Sequence, residues 1–191
     1  MSAVNSMMMD LGTPLPNFEL PAPDEGVVST KDFPDAKGLL VMFICNHCPY
    51  VKHVREELVS LVKEYQAKGI ASIAVNANDW TTYPDDSPEM MAEAAREYGY
   101  TFPYVYDETQ EVAKSFEAAC TPDFFLFDSR HLLFYRGQMD GSRPGNAVPV
   151  TGEDLRAAMD ALLKGDKAKL PQRPSLGCNI KWRKGNEPEY F

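Results

Sequence analysis

Two cysteines two residues apart, in the stretch Ile44-Cys45-Asn46-His47-Cys48-Pro49, are the side chains of this protein with the clearest chemical potential. A pair at that spacing can cycle between dithiol and disulfide, or supply half of a metal site. The flanking residues bear on the choice. The run from Gly38 to Ile44, GLLVMFI, is continuous and apolar, which reads as a strand buried on both faces. Beyond it the period changes. Val51, Val54, Leu58, Leu61, Val62 and Tyr65 recur at helical spacing, with Lys52, Arg55, Glu56, Lys63 and Glu64 between them as the polar face. Pro49 suits the first turn of that helix, where its missing N–H costs nothing.

Cys45 therefore sits where a buried strand gives way to a helix. A helix N-terminus carries about half a positive charge and unpaired N–H groups, and both favour a thiolate. Such placement can lower a cysteine pKa from ~8.5 to between ~3.5 and ~7.5. The expectation is that Cys45 attacks and Cys48, one turn on, resolves the mixed disulfide. His47 between them either adds positive charge or is an exposed spacer. Cys120, just before Thr121-Pro122, and Cys178, in the tail, are candidates for additional redox roles; the alternative for Cys120 is burial as a small hydrophobe, and for Cys178 a free thiol in an ordered tail. Zinc wants four ligands, which Cys45, Cys48, Cys120 and His47 or Cys178 could supply, yet no second CxxC and no HxxxH is present. Neither a metal nor a cofactor is expected.

The remaining segments supply the frame. IASIAVNAN reads as the next strand, DWTTYPDDSP as a polar loop closed by Ser87 as N-cap, and EMMAEAAREYG as a helix begun by Pro88. FPYVYD gives a short strand. Asp107 and Gln110 have capping-box spacing for a helix through EVAKSFEA, and Thr151 and Asp154 have it for a last helix. FFLFD and HLLFYRGQ read as an antiparallel hairpin. This order predicts an α/β fold with one central mixed sheet between helices. Residues 1–10 are expected to be a disordered or extended arm, 11–163 the domain, and 164–191 an irregular tail packed on it.

The chain has 191 residues, 44% of them hydrophobic and 25% charged, with a formal net charge of −9. An acidic chain without Lys/Arg clusters is a poor binder of nucleic acid or anionic membrane. No apolar run reaches the ~20 residues of a membrane helix, and MSAVNSMMMD lacks the basic start of a secretory signal. A cytoplasmic location is expected, where four cysteines serve catalysis, metal binding or burial before structural disulfides.

The segment GLLVMFICNHC with its following helix resembles the active-site unit of the thioredoxin superfamily, and CTPDFFLFD extends the resemblance. The opening GTPLPNFELPAPDEGVVSTKDF is similar to that of the redoxin branch, which holds the alkyl hydroperoxide reductase/thiol-specific antioxidant proteins and the thiol–disulfide proteins of cytochrome maturation. Residues 11–163 carry the likeness, and PSLGCNIKW resembles the end of a bacterial thioredoxin-like or peroxiredoxin-like group. The resemblance implies a thioredoxin-like fold, a cis Thr121–Pro122 bond, a substrate groove shaped by Thr121, Pro122 and His47, and thiol–disulfide oxidoreductase activity. The implied partners are a protein or small-molecule disulfide or thiol, served by a thiol reductant system. The alternatives are a peroxiredoxin-like peroxide reductase and a non-enzymatic metal-binding module.

The chain departs from its relatives at defined points. The strand before Cys45 has no carboxylate to serve as proton acceptor, which leaves water or another group, with Glu56 and Glu57 nearest in sequence. Ile44 replaces the usual aromatic residue. Cys45 stands where a peroxiredoxin has a hydroxyl three residues before its Cys-Pro. The peroxiredoxin arginine is missing: its position reads CTPD, where Asp123 would repel a thiolate; Arg130, Arg136 and Arg143 are candidate substitutes, with a surface position the alternative for each.

Overall fold

The computed structural model describes residues 3–24 and 26–190. Met1, Ser2, Glu25 and Phe191, parts of the expected arm, opening segment and tail, lie outside the described residues. Three short strands come first: β1 (Ala3–Asn5), β2 (Glu19–Ala22) and β3 (Gly26–Ser29). Then follow β4 (Gly38–Phe43), α1 (Pro49–Gln66), β5 (Ile70–Asn76), α2 (Pro88–Glu97), β6 (Tyr104–Tyr106) and α3 (Glu111–Ser115). The last elements are β7 (Cys120–Thr121), β8 (Asp123–Asp128), β9 (Leu133–Gly137), α4 (Glu153–Lys164) and β10 (Leu176–Asn179).

The central sheet has the order β6-β5-β4-β8-β9, parallel on one side of β4 and antiparallel on the other. All six residues of β4 are buried, because helices and loops cover both faces. Its period of two splits the core. Leu40 and Met42 pack with Leu58, Leu61, Leu155 and Met159 of α1 and α4. Leu39, Val41 and Phe43 face the opposite layer with Phe116, Phe125 and Phe127. There Phe43, Phe116 and Phe125 meet edge to face, with ring centroids 5.4–5.9 Å apart. This double burial makes β4 a rigid base for the loop that follows it.

The tail corrects the sequence reading. Leu176–Asn179 is a strand, not irregular chain, and it lies between β1 and β7 in a three-stranded antiparallel sheet. Ala3–Asn5 of the arm is its outer strand. The tail is fastened further by Ile180 N–H to the Ala119 carbonyl at 3.0 Å and by Lys181 N–H to Asn78 Oδ1 at 2.8 Å. Ile180 and Trp182 enter the second core layer. A strand of four residues with no apolar alternation carries no sequence signal; its partners define it.

Two caps also differ from expectation. The residue before α4 is Gly152 at φ +67°, and its N–H, with that of Thr151, is held by the Asp140 carboxylate at 2.7 and 2.8 Å. Asp154 instead accepts from Gln138 at 2.6 Å. Ahead of α3 stands Gln110 at φ +64°, and Asp107 reaches past it to accept from Ala113 N–H at 2.8 Å.

Gly177 marks the tightest approach of the tail to the body. A Cβ there would lie 2.0 Å from the Thr121 carbonyl oxygen and 3.2 Å from the Pro122 nitrogen. Gly177→Ala is expected to lower stability by about 1–3 kcal/mol through overpacking. A fall in the midpoint of urea unfolding would show it, and an unchanged midpoint would contradict the close approach.

Candidate active site

Cys45 and Cys48 are placed by β4 and α1. The Ile44 N–H pairs with the Val75 carbonyl at 3.1 Å, which holds the strand end in register up to the first cysteine. Cys48 is the N-cap of α1, Pro49 opens the helix, and the Cys48 carbonyl accepts from Lys52 N–H at 3.0 Å. Both thiols are free and buried, with 2% of Cys45 and none of Cys48 exposed.

Thr121 connects the two sulfurs. Its Oγ1 lies 3.4 Å from Cys45 Sγ, and its carbonyl oxygen lies 3.2 Å from Cys48 Sγ. The Thr121–Pro122 peptide is cis. On β10, Cys178 is the register partner of Thr121, and Asn179 that of Cys120. Antiparallel partners share a face, so Cys178 and the Thr121 side chain project to one side and Cys120 to the other. Accordingly Cys178 joins Cys45 and Cys48 in one buried cluster, whereas Cys120 Sγ turns to the Pro122 carbonyl at 3.7 Å.

The pair holds its charge unevenly. Burial pushes the Cys45 thiol well above its ordinary value, and its hydrogen bond to Cys48 and the charge of Asp86 add to this. A hydrogen bond from Cys45 lowers Cys48 to about 4, helped by the Thr121 hydroxyl, the Val51 amide at the helix start and the Cys178 thiol. These donors outweigh both burial and the Thr121 carbonyl, which disfavours a thiolate. The sequence reading expects the thiolate at Cys45; the hydrogen bond from Cys45 and the burial of that thiol favour it at Cys48.

The residues that sequence reasoning missed are Asp86 and Arg55. Asp86 ends the polar loop before α2 and is fully buried. Its Oδ1 accepts from Asn46 N–H at 2.8 Å, and its Oδ2 accepts from Asn78 Nδ2 at 2.8 Å and meets His47 Nδ1 at 2.5 Å. These partners compensate the cost of burying a carboxylate. His47 is thus no exposed spacer: its side chain is 11% exposed, and its ring stacks on Tyr83 with centroids 5.3 Å apart. Arg55, expected on the polar face of α1, is buried, donates to the Asn46 carbonyl at 3.2 Å and lies 4.0 Å above the Tyr98 ring. No spacing rule separates Asp86 from its exposed neighbour Asp85, because the fold alone turns it inward.

Cys45 Sγ, a ring nitrogen of His47 and a carboxylate oxygen of Asp86 lie within 4.8 Å of one another. This differs from the metal set read from the sequence, since Cys120 faces elsewhere and Asp86 takes part. Its N–H donors already occupy the carboxylate, so the cluster is suited to moving a proton near Cys45.

Other candidates lie apart. Glu57 pairs with Arg156 at 2.6 Å, and Glu56 is exposed. Arg130 binds Asp128, Arg136 donates to the Met9 carbonyl at 2.6 Å, and Arg143 donates to the Asp140 carbonyl at 2.7 Å. The expected repulsion from Asp123 is not supported either, because burial raises its carboxyl well above the usual range and favours the neutral acid.

Residues 11–136 match the AhpC/TSA family. The chain belongs to that family. Its fold is thioredoxin-like, shared with a thiol:disulfide interchange protein of the thioredoxin family from Chlorobium tepidum at 16% identity and TM-score 0.62, covering 81% of this chain and 99% of that one. Much more similar is an uncharacterized conserved protein from Geobacillus kaustophilus, 54% identical with TM-score 0.94, covering 96% of this chain and 97% of that one. A hypothetical protein from Sinorhizobium meliloti 1021 is 46% identical with TM-score 0.93, covering 95% and 99%. No curated protein matches the chain. Among the described residues, no helix is long and apolar enough to cross a membrane.

The uneven charge predicts one thiolate in the reduced protein at neutral pH. Absorbance near 240 nm is expected to fall as the pH drops through about 4, where Cys48 gains its proton. Cys48→Ser should remove this transition, and Cys45→Ala should move it to higher pH by removing the largest stabilising donor.

Proposed function

We propose that this protein is a thiol–disulfide oxidoreductase that uses Cys45 and Cys48 as its dithiol. The observation that carries the reading is the pair itself: two buried thiols at the start of α1, one favoured as thiolate and one as thiol, both touching Thr121. A fully protonated pair would be inert, and two thiolates would repel.

The steps follow from the charges. Cys48 thiolate attacks one sulfur of a disulfide, a mixed disulfide forms, and the other sulfur leaves as a thiolate. Cys45 then gives its proton to the His47–Asp86 pair, directly or through one water, and attacks Cys48 Sγ. The second substrate sulfur leaves, and a Cys45–Cys48 disulfide remains. One substrate disulfide becomes two thiols at the expense of one dithiol, and an external thiol restores the enzyme. These roles reverse the order read from the sequence, because the attacking group must be the thiolate. Thr121, Pro122 and His47 border the path of the incoming sulfur.

The edge of Thr121 is already paired with β10, so an extended polypeptide has no free strand edge there. Attack also needs in-line access to a covered sulfur. A small disulfide requires less displacement of the surroundings than a protein does, which favours a low-molecular-weight substrate.

Turnover of glutathione disulfide with a thiol reductant is the test. Cys48→Ser should reduce the rate at least a hundredfold, and so should Cys45→Ser in a protein that also carries Cys178→Ser; activity surviving in either rules out the dithiol cycle. Asp86→Asn should slow release of the second thiol more than mixed-disulfide formation, because it weakens the proton acceptor of Cys45. Equal slowing of both phases would assign Asp86 to structure only.

A second reading, peroxide reduction, is favoured by the Cys48-Pro49 placement at a helix start together with family membership. Rapid peroxide-dependent sulfenic acid on Cys48, outpacing disulfide exchange, would select it.

A further inference from the structure

The strand β10 lies outside the residues that match the family, yet it delivers a thiol to the reactive centre. We propose that Cys178 is a third redox-active thiol, which competes with Cys45 for Cys48 and forms a second disulfide, Cys48–Cys178. The proposal rests on the reading of Cys48 as the reactive thiolate.

Three observations carry it. The first is register. Cys178 stands opposite Thr121, on the face whose hydroxyl touches Cys45. The Thr121 carbonyl touches Cys48, so one residue is adjacent to all three sulfurs. The second is distance control. Gly177 lets β10 approach so closely that even a methyl group would strike the Thr121 carbonyl. Any side chain at 177 would push the Cys178 thiol away from the centre. The third is proximity: Cys178 and Cys48 belong to the same buried cluster, and each sulfur shifts the acidity of the other. Cys120, also buried, fails on each count, because its side chain leaves β7 on the opposite face.

The chemistry balances without a new reagent. In the Cys45–Cys48 disulfide, Cys178 loses its proton and attacks Cys48 Sγ. The Cys48–Cys178 bond forms, the Cys45–Cys48 bond breaks, and Cys45 leaves as a thiolate that takes up the proton. No electrons are gained or lost overall. In a mixed disulfide at Cys48, the same attack expels the substrate thiol. In the resting protein, burial and the Cys48 thiolate hold Cys178 high, at about 11. Once Cys48 is bonded to another sulfur its charge is gone, and Cys178 gives up its proton more readily. The third thiol is therefore quiet in the reduced protein and becomes available after Cys48 has reacted. The product would fasten the tail strand to the start of α1.

The experiment uses full-length Cys45→Ser protein, in which Cys178 is the remaining resolving thiol beside Cys48. Reduced protein is exposed to glutathione disulfide at neutral pH, alkylated, and digested without reductant for peptide mass spectrometry. An intramolecular Cys48–Cys178 linked peptide is expected as the main oxidised product. The Cys45→Ser/Cys178→Ser protein should stop at glutathione bound to Cys48, at least tenfold more of it at equal times. If the single variant retains that glutathione as well as the double variant does, or links Cys48 to Cys120, Cys178 has no such role. The dithiol reading would stand in that case, provided the wild-type protein forms Cys45–Cys48. If Cys48 takes up no glutathione in any variant, both readings fall.

Discussion

Thr121 is held from three sides: its hydroxyl meets Cys45, its carbonyl meets Cys48, and its backbone pairs with Cys178 on β10. Everything at the site depends on that one residue being immobile. Sulfur is a weak hydrogen-bonding atom, so a thiol pair gains little from any single contact and must be positioned by the frame around it. The frame is β8 below, which continues from Pro122 into the middle of the sheet, and β10 alongside. A shift of either would separate sulfurs that exchange electrons only in direct contact.

Charge is the second constraint. A buried thiolate is costly, and the fold meets that cost by giving Cys48 more donors than Cys45, whose one such donor is the Thr121 hydroxyl. Asp86 enters the same balance from a different element. Its negative charge raises Cys45, which keeps the proton on that sulfur and directs the thiolate to the other. The same carboxylate braces the Asn46–His47 turn through two N–H groups and one ring nitrogen. One buried acid thus shapes both the loop and the acidity of the pair. Arg55 supports the turn from the helix side through the Asn46 carbonyl.

Much of the frame was legible in the residues. The apolar run of β4, the helical period of α1, Ser87 and Pro88 at the start of α2, and the β8–β9 hairpin all follow from local patterns that repeat at 2.0 or 3.6 residues. The two failed capping boxes show the limit of such patterns. At α4 a carboxylate from outside the expected box, Asp140, took the amides, while at α3 Asp107 reached past its expected partner to the Ala113 amide. The strand β10 had no pattern at all; it exists because β1 and β7 flank it.

By itself, the sequence determined that a cysteine pair follows a doubly buried strand and opens a long helix, a pattern that resembles the active-site unit of thioredoxin-like proteins. Periodicity and proline placement are local properties, so a linear reading reaches them. Only the tertiary structure shows which sulfur its donors favour as thiolate, that Asp86 and His47 stand beside Cys45, and that Cys178 rather than Cys120 lies in the cluster with Cys45 and Cys48. Each of these depends on residues about forty to more than one hundred positions apart in the chain, and on the direction a side chain takes from a strand whose register is set by its neighbours.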